Sequence, residues 1–186
     1  MTQDDPLARA LVEHAYLEGD FVLRSGKRSR YYLDKYRFET RPDLLRPLGE
    51  RIAAAVAEHA PDATRLAGPA LGAVALAAAA SLASGLPFII VRSEAKEYGT
   101  ANRLEGVFDE GETVCLIEDV VTSGGALLES VAALREAGLT VHTAVCVVDR
   151  EEGGTDALAR AAVRLRPIFT AGELLAGTKS AAKPHG

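Results

Sequence analysis

The chain is poor in the residues that most often carry redox or metal chemistry. It has no tryptophan, one methionine and two cysteines in 186 residues. Cys115 and Cys146 each stand alone inside an apolar run, spaced like neither a zinc site nor a CxxC redox pair, so both are read as core residues. No apolar run is long enough to cross a bilayer, and residues 73–83 read as a buried helix of small side chains. The opening residues, MTQDDPLARA, are acidic and contain no apolar leader segment. Positive charge is not in excess either. Twenty-one Lys and Arg stand against 26 Asp and Glu, and the net charge of −5 gives no general attraction to nucleic acid or an anionic membrane. The expectation is a cytoplasmic protein with neither as partner. What remains is 48% hydrophobic, much of it alanine, at a length that suits one domain with a proper core.

Hydrophobic patterning along the chain alternates between two periods. Residues 7–17 have helical spacing. Two short strands, 21–23 and 31–33, flank a turn at Arg24-Ser25-Gly26-Lys27, and Pro42 opens a long helix to about residue 60. Then follow a strand at 65–67, a helix at 72–84 and a strand at 88–91. A second set is a strand at 113–117, a helix at 125–137 and a strand at 140–148. A last short strand at 163–166 precedes a small helix. Continuous apolar strands alternating with helices predict an α/β fold, a central mostly parallel sheet flanked by helices on both faces. Ligands in such folds bind at the carboxyl ends of the strands. Residues 1–176 are expected to form the single domain, and the small, polar stretch 177–186 a disordered tail.

One run is the most informative: Val114-Cys115-Leu116-Ile117-Glu118-Asp119-Val120-Val121-Thr122-Ser123-Gly124-Gly125. A buried strand ends in two carboxylates, and a loop of small residues leads to a helix start. Glycines let the loop backbone approach a ligand closely, and the helix start offers free N–H groups and a positive dipole end. That arrangement suits a phosphate monoester, and the carboxylates suit vicinal hydroxyls. Together they describe a cradle for a sugar 5-phosphate. Strand–loop–helix turns also carry Asp, Ser, Thr and Gly merely as caps, but here the whole run is gapless.

This run resembles the motif by which type I phosphoribosyltransferases bind 5-phosphoribosyl 1-diphosphate (PRPP). The resemblance assigns Glu118, Asp119, Val120, Val121, Thr122, Ser123, Gly124, Gly125 and Ala126 to PRPP. Gly68-Pro69-Ala70-Leu71-Gly72 follows a strand and resembles the pyrophosphate loop of the same superfamily, with Pro69, Ala70, Leu71 and Gly72 as its contacts. Alone it could be any strand–helix connection. Some orotate enzymes carry a lysine where this chain has Gly72.

Other segments point to the orotate branch. Residues 92–106 have no apolar period and read as a long loop. They resemble the orotate enzymes' catalytic flexible loop, with Arg92, Lys96 and Gly99 matching, Ser93 in place of a common lysine and Tyr98 in place of a histidine. Residues 21–34 resemble the hood of those enzymes, a small N-terminal element within residues 1–40. There Arg24 would meet PRPP, and Tyr32 and Leu33 would face the planar base. Asp149-Arg150 at a strand's carboxyl end resembles the segment that places an arginine on the base, where bidentate binding suits a carboxylate. Arg150 and Thr122 complete the orotate set. Taken alone, Arg150 could equally pair with Glu151 or Glu152.

The resemblance implies the type I phosphoribosyltransferase fold and transfer of the phosphoribosyl group from PRPP to orotate, giving orotidine 5′-monophosphate and pyrophosphate. Lys96 and Asp119 are the implied catalytic residues. It also implies Mg2+ held mainly through PRPP and water, with no direct protein ligand, and a homodimer whose flexible loop closes over the neighbouring subunit's site. Two alternatives stay open. One is a phosphoribosyltransferase for another nucleobase, against which the hood and Arg150 speak. The other is a PRPP-sensing regulator without the reaction, against which the acidic net charge speaks.

Overall fold

The computed structural model describes residues 5–22, 26, 28–93 and 103–181. Helix α1 (Pro6–Ala15) is capped by Asp5, whose carboxylate accepts from the backbone N–H groups of Leu7 at 2.9 Å and Ala8 at 3.4 Å. It stops two residues before the expected end because Tyr16 is already extended and begins β1 (Tyr16–Val22). Strand β1 pairs antiparallel with β2 (Arg28–Leu33), forming a separate two-stranded sheet from Tyr16↔Leu33 to Val22↔Arg28. A short helix, α2 (Tyr36–Glu39), leads into α3 (Pro42–His59), which starts at proline as expected.

The main unit follows. It comprises β3 (Arg65–Pro69), α4 (Ala73–Ser84), β4 (Phe88–Val91), β5 (Leu104–Glu105), β6 (Thr113–Val121), α5 (Gly125–Glu136), β7 (Thr140–Asp149), α6 (Gly154–Arg160), β8 (Arg164–Thr170) and α7 (Ala171–Ala181). The six strands lie in the order β5-β4-β3-β6-β7-β8, all neighbours parallel except β5 against β4. This is the mostly parallel sheet that the alternation predicts, with a small N-terminal sheet beside it.

Strand periodicity divides the core in two. Leu66, Cys115, Ile117, Val145 and Val147 face one way and pack with Leu11, Phe38, Leu48, Ile52 and Leu76 from α1 to α4. Ala67, Val114, Leu116, Ala144 and Cys146 face the other and pack with Leu127, Val131, Leu134 and Leu158 of α5 and α6. Each face is thus covered by helices.

Several boundaries differ from expectation. Strand β6 runs four residues further, to Val121, so the acidic pair lies within the strand and not at its end. Both carboxylates are hydrophilic residues that the ladder nonetheless holds, with Glu118 opposite Cys146 and Val120 opposite Val148. Strand β8 passes through Pro167, tolerated because β8 is an edge strand. Helix α7 reaches Ala181, so residues 177–181 of the expected tail are helical; 182–186 lie outside the described residues. Helices α2 and α6 and strand β5 are too short for periodicity to reveal. Among the described residues no helix is long and apolar enough to cross a membrane.

Candidate active site

The carboxyl ends of β3, β6 and β7, adjacent in the sheet, bring three loops together. At the centre Glu118 and Asp119 are 9% and 4% exposed. Being neighbours on a strand, they point to opposite faces. Glu118 lies on the α5 side and helps line the cavity there, and its Oε1 accepts from the Asp119 N–H at 3.0 Å. Asp119 lies on the α4 side. Its Oδ1 accepts from the Val120 N–H at 2.5 Å and its Oδ2 from Lys35 Nζ at 2.5 Å.

On the α5 side the loop after β6 forms a cavity of about 290 Å³, lined by Glu118, Val120, Val121, Thr122, Ser123, Gly124, Gly125, Ala126, Leu127 and Glu129. Gly124 has φ +82°, and a Cβ there would stand 3.3 Å from the backbone of Gly154. Helix α5 starts at Gly125 without a side-chain cap, which leaves its first N–H groups for a ligand. Thr122 and Ser123 are exposed at its mouth. Two larger hollows of about 500 Å³ lie along α3 and α4, away from these strand ends; one is lined mostly by alanine, the other by Pro42, Leu45, Arg46, Glu50, Leu82 and two alanines.

On the α4 side the loop after β3 carries Pro69, Ala70, Leu71 and Gly72. Ala70 N–H donates to Val91 O at 2.7 Å, the Ala70–Leu71 peptide is cis, and Leu71 is exposed. A Cβ on Gly72 would collide with Asp119 Oδ2 and Lys35 Nζ, so this loop rests directly on Asp119 and glycine is required there.

Two residues in this cluster escape motif reading. Lys35 follows β2 and Glu39 ends α2, four residues on. In sequence they belong to a charged stretch, Asp34-Lys35-Tyr36-Arg37-Phe38-Glu39. In the fold Glu39 is 4% exposed, and its Oε1 has no hydrogen-bond partner among the described residues. Burial, reinforced by the charge of Asp119, pushes its carboxyl up to about 8. Burial and Asp119 likewise raise Glu118. For Lys35 burial works against the charge, but the hydrogen bond and charge of Asp119 outweigh it and hold the ammonium protonated. The only sequence signal is the spacing of Lys35 and Glu39, one turn apart on a helix.

The loop after β7 carries Arg150. Its backbone N–H donates to Val121 O at 2.8 Å, tying this loop to the one after β6. Its side chain is 7% exposed, with Nε 3.0 Å from Glu152 Oε1 and the guanidinium 4.8 Å over the Tyr31 ring. Asp149 braces the turn, accepting from Glu151 N–H at 2.9 Å and Thr155 Oγ1 at 2.8 Å. Tyr31 and Leu33 share a narrow cleft with Arg150, while Tyr32 alternates to the other face, 39% exposed and 5.5 Å from the Phe21 ring. The strand therefore separates Tyr32 from Leu33 and sets Tyr31 beside Arg150.

Arg92 stands at the sheet edge. Its Nη1 lies 3.3 Å from Glu105 Oε1, and its N–H donates to Arg103 O at 2.8 Å, closing the base of segment 94–102. Arg24, Lys96 and Tyr98 lie outside the described residues. Burial pushes the Cys115 thiol up to about 12 and raises Cys146 as well, so neither is a nucleophile near neutral pH. Among the described residues no three His, Cys, Asp or Glu side chains converge to hold a metal ion.

No protein-family model matches the chain. Individual proteins do. The chain is 48% identical over 176 residues to an orotate phosphoribosyltransferase of Halobacterium salinarum, covering 94% of this chain and 98% of that one. The crystal structure of orotate phosphoribosyltransferase from Aeropyrum pernix superposes with a TM-score of 0.83 at 34% identity, covering 94% of this chain and 98% of the other. That of Mycobacterium tuberculosis orotate phosphoribosyltransferase in complex with PRPP gives 0.77 at 26% identity, covering 94% and 99%.

Proposed function

The chain belongs to the orotate phosphoribosyltransferase family, and from that premise we propose how its residues divide the work. The enzyme transfers the 5-phosphoribosyl group of PRPP to orotate, giving orotidine 5′-monophosphate and pyrophosphate in pyrimidine biosynthesis. The observation that carries the division of labour is the meeting of an uncapped helix start, a buried acidic pair and a buried arginine at two adjacent strand ends, those of β6 and β7.

In this reading Thr122, Ser123, Gly124, Gly125 and Ala126 hold the 5-phosphate through backbone N–H groups and hydroxyls. Asp119 and Glu118 accept from the ribose hydroxyls. The loop of Pro69, Ala70, Leu71 and Gly72 receives the diphosphate beside Asp119. Orotate lies between the hood and the β7 loop, its carboxylate on Arg150 once Glu152 yields, with Leu33, Thr122 and Tyr31 around the ring. The C1–O bond to pyrophosphate stretches toward an oxocarbenium-like ribosyl cation and the pyrimidine nitrogen attacks. Most of the work is therefore charge stabilisation on the leaving group and exclusion of water. Lys96, with Arg92, Arg24 and Tyr98, would serve the diphosphate from the flexible loop and hood.

The donor set fits a magnesium ion carried in by PRPP, because Asp119 presents a carboxylate beside the pyrophosphate loop. Bound there, the ion would neutralise diphosphate charge, with Asp119 reaching it through water. The reading also includes a homodimer in which the flexible loop closes over the neighbouring subunit's site.

The test is base preference together with Arg150→Ala. The wild type should consume orotate with PRPP and magnesium and leave uracil and purines unused. Arg150→Ala should raise the Michaelis constant for orotate at least about tenfold, the scale of one charge-assisted hydrogen-bond pair, and that for PRPP much less. A better rate with another base, or equal rises for both substrates, would overturn the assignment.

A further inference from the structure

The pyrophosphate loop of this chain, Gly68-Pro69-Ala70-Leu71-Gly72, contains no charged side chain. A diphosphate seated there needs a cation from elsewhere, and the acidic surroundings sharpen that need, since Asp119 lies against Gly72 and Glu39 lies beside Asp119. Among the described residues one ammonium stands beside Asp119. Lys35 Nζ lies 2.5 Å from Asp119 Oδ2 and occupies the space a Gly72 side chain would enter. It comes from the segment after β2, not from the loop, so no motif at residues 68–72 announces it. Its side chain is 30% exposed, against 5% for that of Asp119, so the ammonium sits at the mouth of the cluster, open to an incoming ligand.

We propose that Lys35 is a PRPP-binding residue that supplies this loop with its cation, resting on Asp119 in the free protein and bonding to the diphosphate once the ribose hydroxyls occupy Asp119. The inference rests on the placement of PRPP at the β6 end given above. Its chemistry is an exchange of partners. In the free protein Asp119 is satisfied by Lys35. On binding, two ribose hydroxyls replace that donor, and a flexible four-carbon stem lets the freed ammonium turn to phosphate oxygens over Gly72. Asp119 is thus paired in both states. Glu39, whose Oε1 has no hydrogen-bond partner among the described residues, offers the ammonium a further acceptor when Asp119 is taken. The same glycine that makes room for Lys35 excludes a side chain of its own at position 72, so the loop and the lysine are complementary.

Binding of three ligands separates this role from a merely structural one. PRPP and pyrophosphate carry the diphosphate; orotidine 5′-monophosphate carries the ribose and 5-phosphate without it. In calorimetry with magnesium, Lys35→Met should weaken PRPP and pyrophosphate by about tenfold or more, the loss of one charge-assisted hydrogen bond, and orotidine 5′-monophosphate far less. Lys35→Arg should recover most of the loss. Lys35→Met combined with Glu39→Gln, which removes a carboxyl along with the cation, should show the same split if the single variant does not fold. Unchanged affinity for PRPP and pyrophosphate in a folded variant would overturn the proposal. So would an equal loss for all three ligands, which means that Lys35 only neutralises Asp119. Asp119→Asn, run in parallel, tests the underlying placement: it should weaken PRPP and orotidine 5′-monophosphate together. If neither moves, the placement itself is wrong, whatever Lys35→Met does.

Discussion

Glu39 shows how a single buried carboxyl sets a pH dependence. Burial and the neighbouring Asp119 raise it from 4.5 to about 8, and Glu118 is raised by the same causes. Between those values the folded protein holds a proton on Glu39 that the unfolded chain has released. The stabilisation is full below about pH 4.5 and is lost as pH climbs through about 8. Glu39→Gln keeps the size and removes the ionisation. Its melting temperature should therefore overtake the wild type's progressively from acid to mildly alkaline pH, by about 2–4 °C for each kcal/mol that the carboxylate costs. Glu118 is present in both proteins and cancels in the difference. Parallel melting curves across the range would show that Glu39 ionises freely. Residue-scale reading of the sequence picks out the acidic pair and Arg150, because each follows an apolar run. It passes over Glu39 and Lys35, because a four-residue helix has no period to mark its buried face. It also prefers Tyr32 to Tyr31, since nothing in Tyr31-Tyr32-Leu33 says which aromatic turns inward until the pairing with β1 fixes the face.

At the scale of elements, the β6–loop–α5 unit carries most of the site. Its strand and helix are legible because both are long and periodic. The extent of β6 is not, because two carboxylates and two valines look like a loop until β7 supplies hydrogen-bond partners as far as Val121↔Asp149. The turn itself makes a sharp demand. Gly124 has φ +82° and stands against Gly154 at the start of α6, whereas Gly125 has ordinary φ and nothing within 4 Å of its missing side chain. Gly124→Ala should cost about 1–2 kcal/mol from the left-handed backbone alone, lowering the melting temperature by several degrees. Gly125→Ala should leave it unchanged or slightly raised, since alanine favours a helix start more than glycine does. Thermal unfolding of the two variants side by side is the measurement. Equal melting temperatures would mean that the loop does not hold the left-handed turn in solution.

For the whole molecule, the question is whether one chain completes its own site. The acidic pair, the loop between β6 and α5, and Arg150 all come from one sheet, so these parts assemble within a chain. Lys96 is different. It belongs to segment 94–102, whose ends are held together by the Arg92 N–H to Arg103 O bond at the β4–β5 edge, two strands from β6. If that segment serves the neighbouring subunit of a symmetric dimer, Lys96 and Asp119 of one working site belong to different chains. Lys96→Ala should by itself lower turnover by about a hundredfold or more, the scale of losing one positioned electrostatic group, because charge on the leaving diphosphate builds mainly in the transition state. Asp119→Asn should fail through weak PRPP binding. Mixing the two inactive proteins under conditions of proven subunit exchange then gives hybrids with one site doubly broken and one intact. With random pairing half the dimers are hybrids, so activity should return to about a quarter of the wild-type value. A loop acting on its own chain predicts none, since every site would then lack either Lys96 or Asp119. Recovery near a quarter therefore demands both a dimer and a shared loop, while exchange without recovery confines Lys96 to its own subunit.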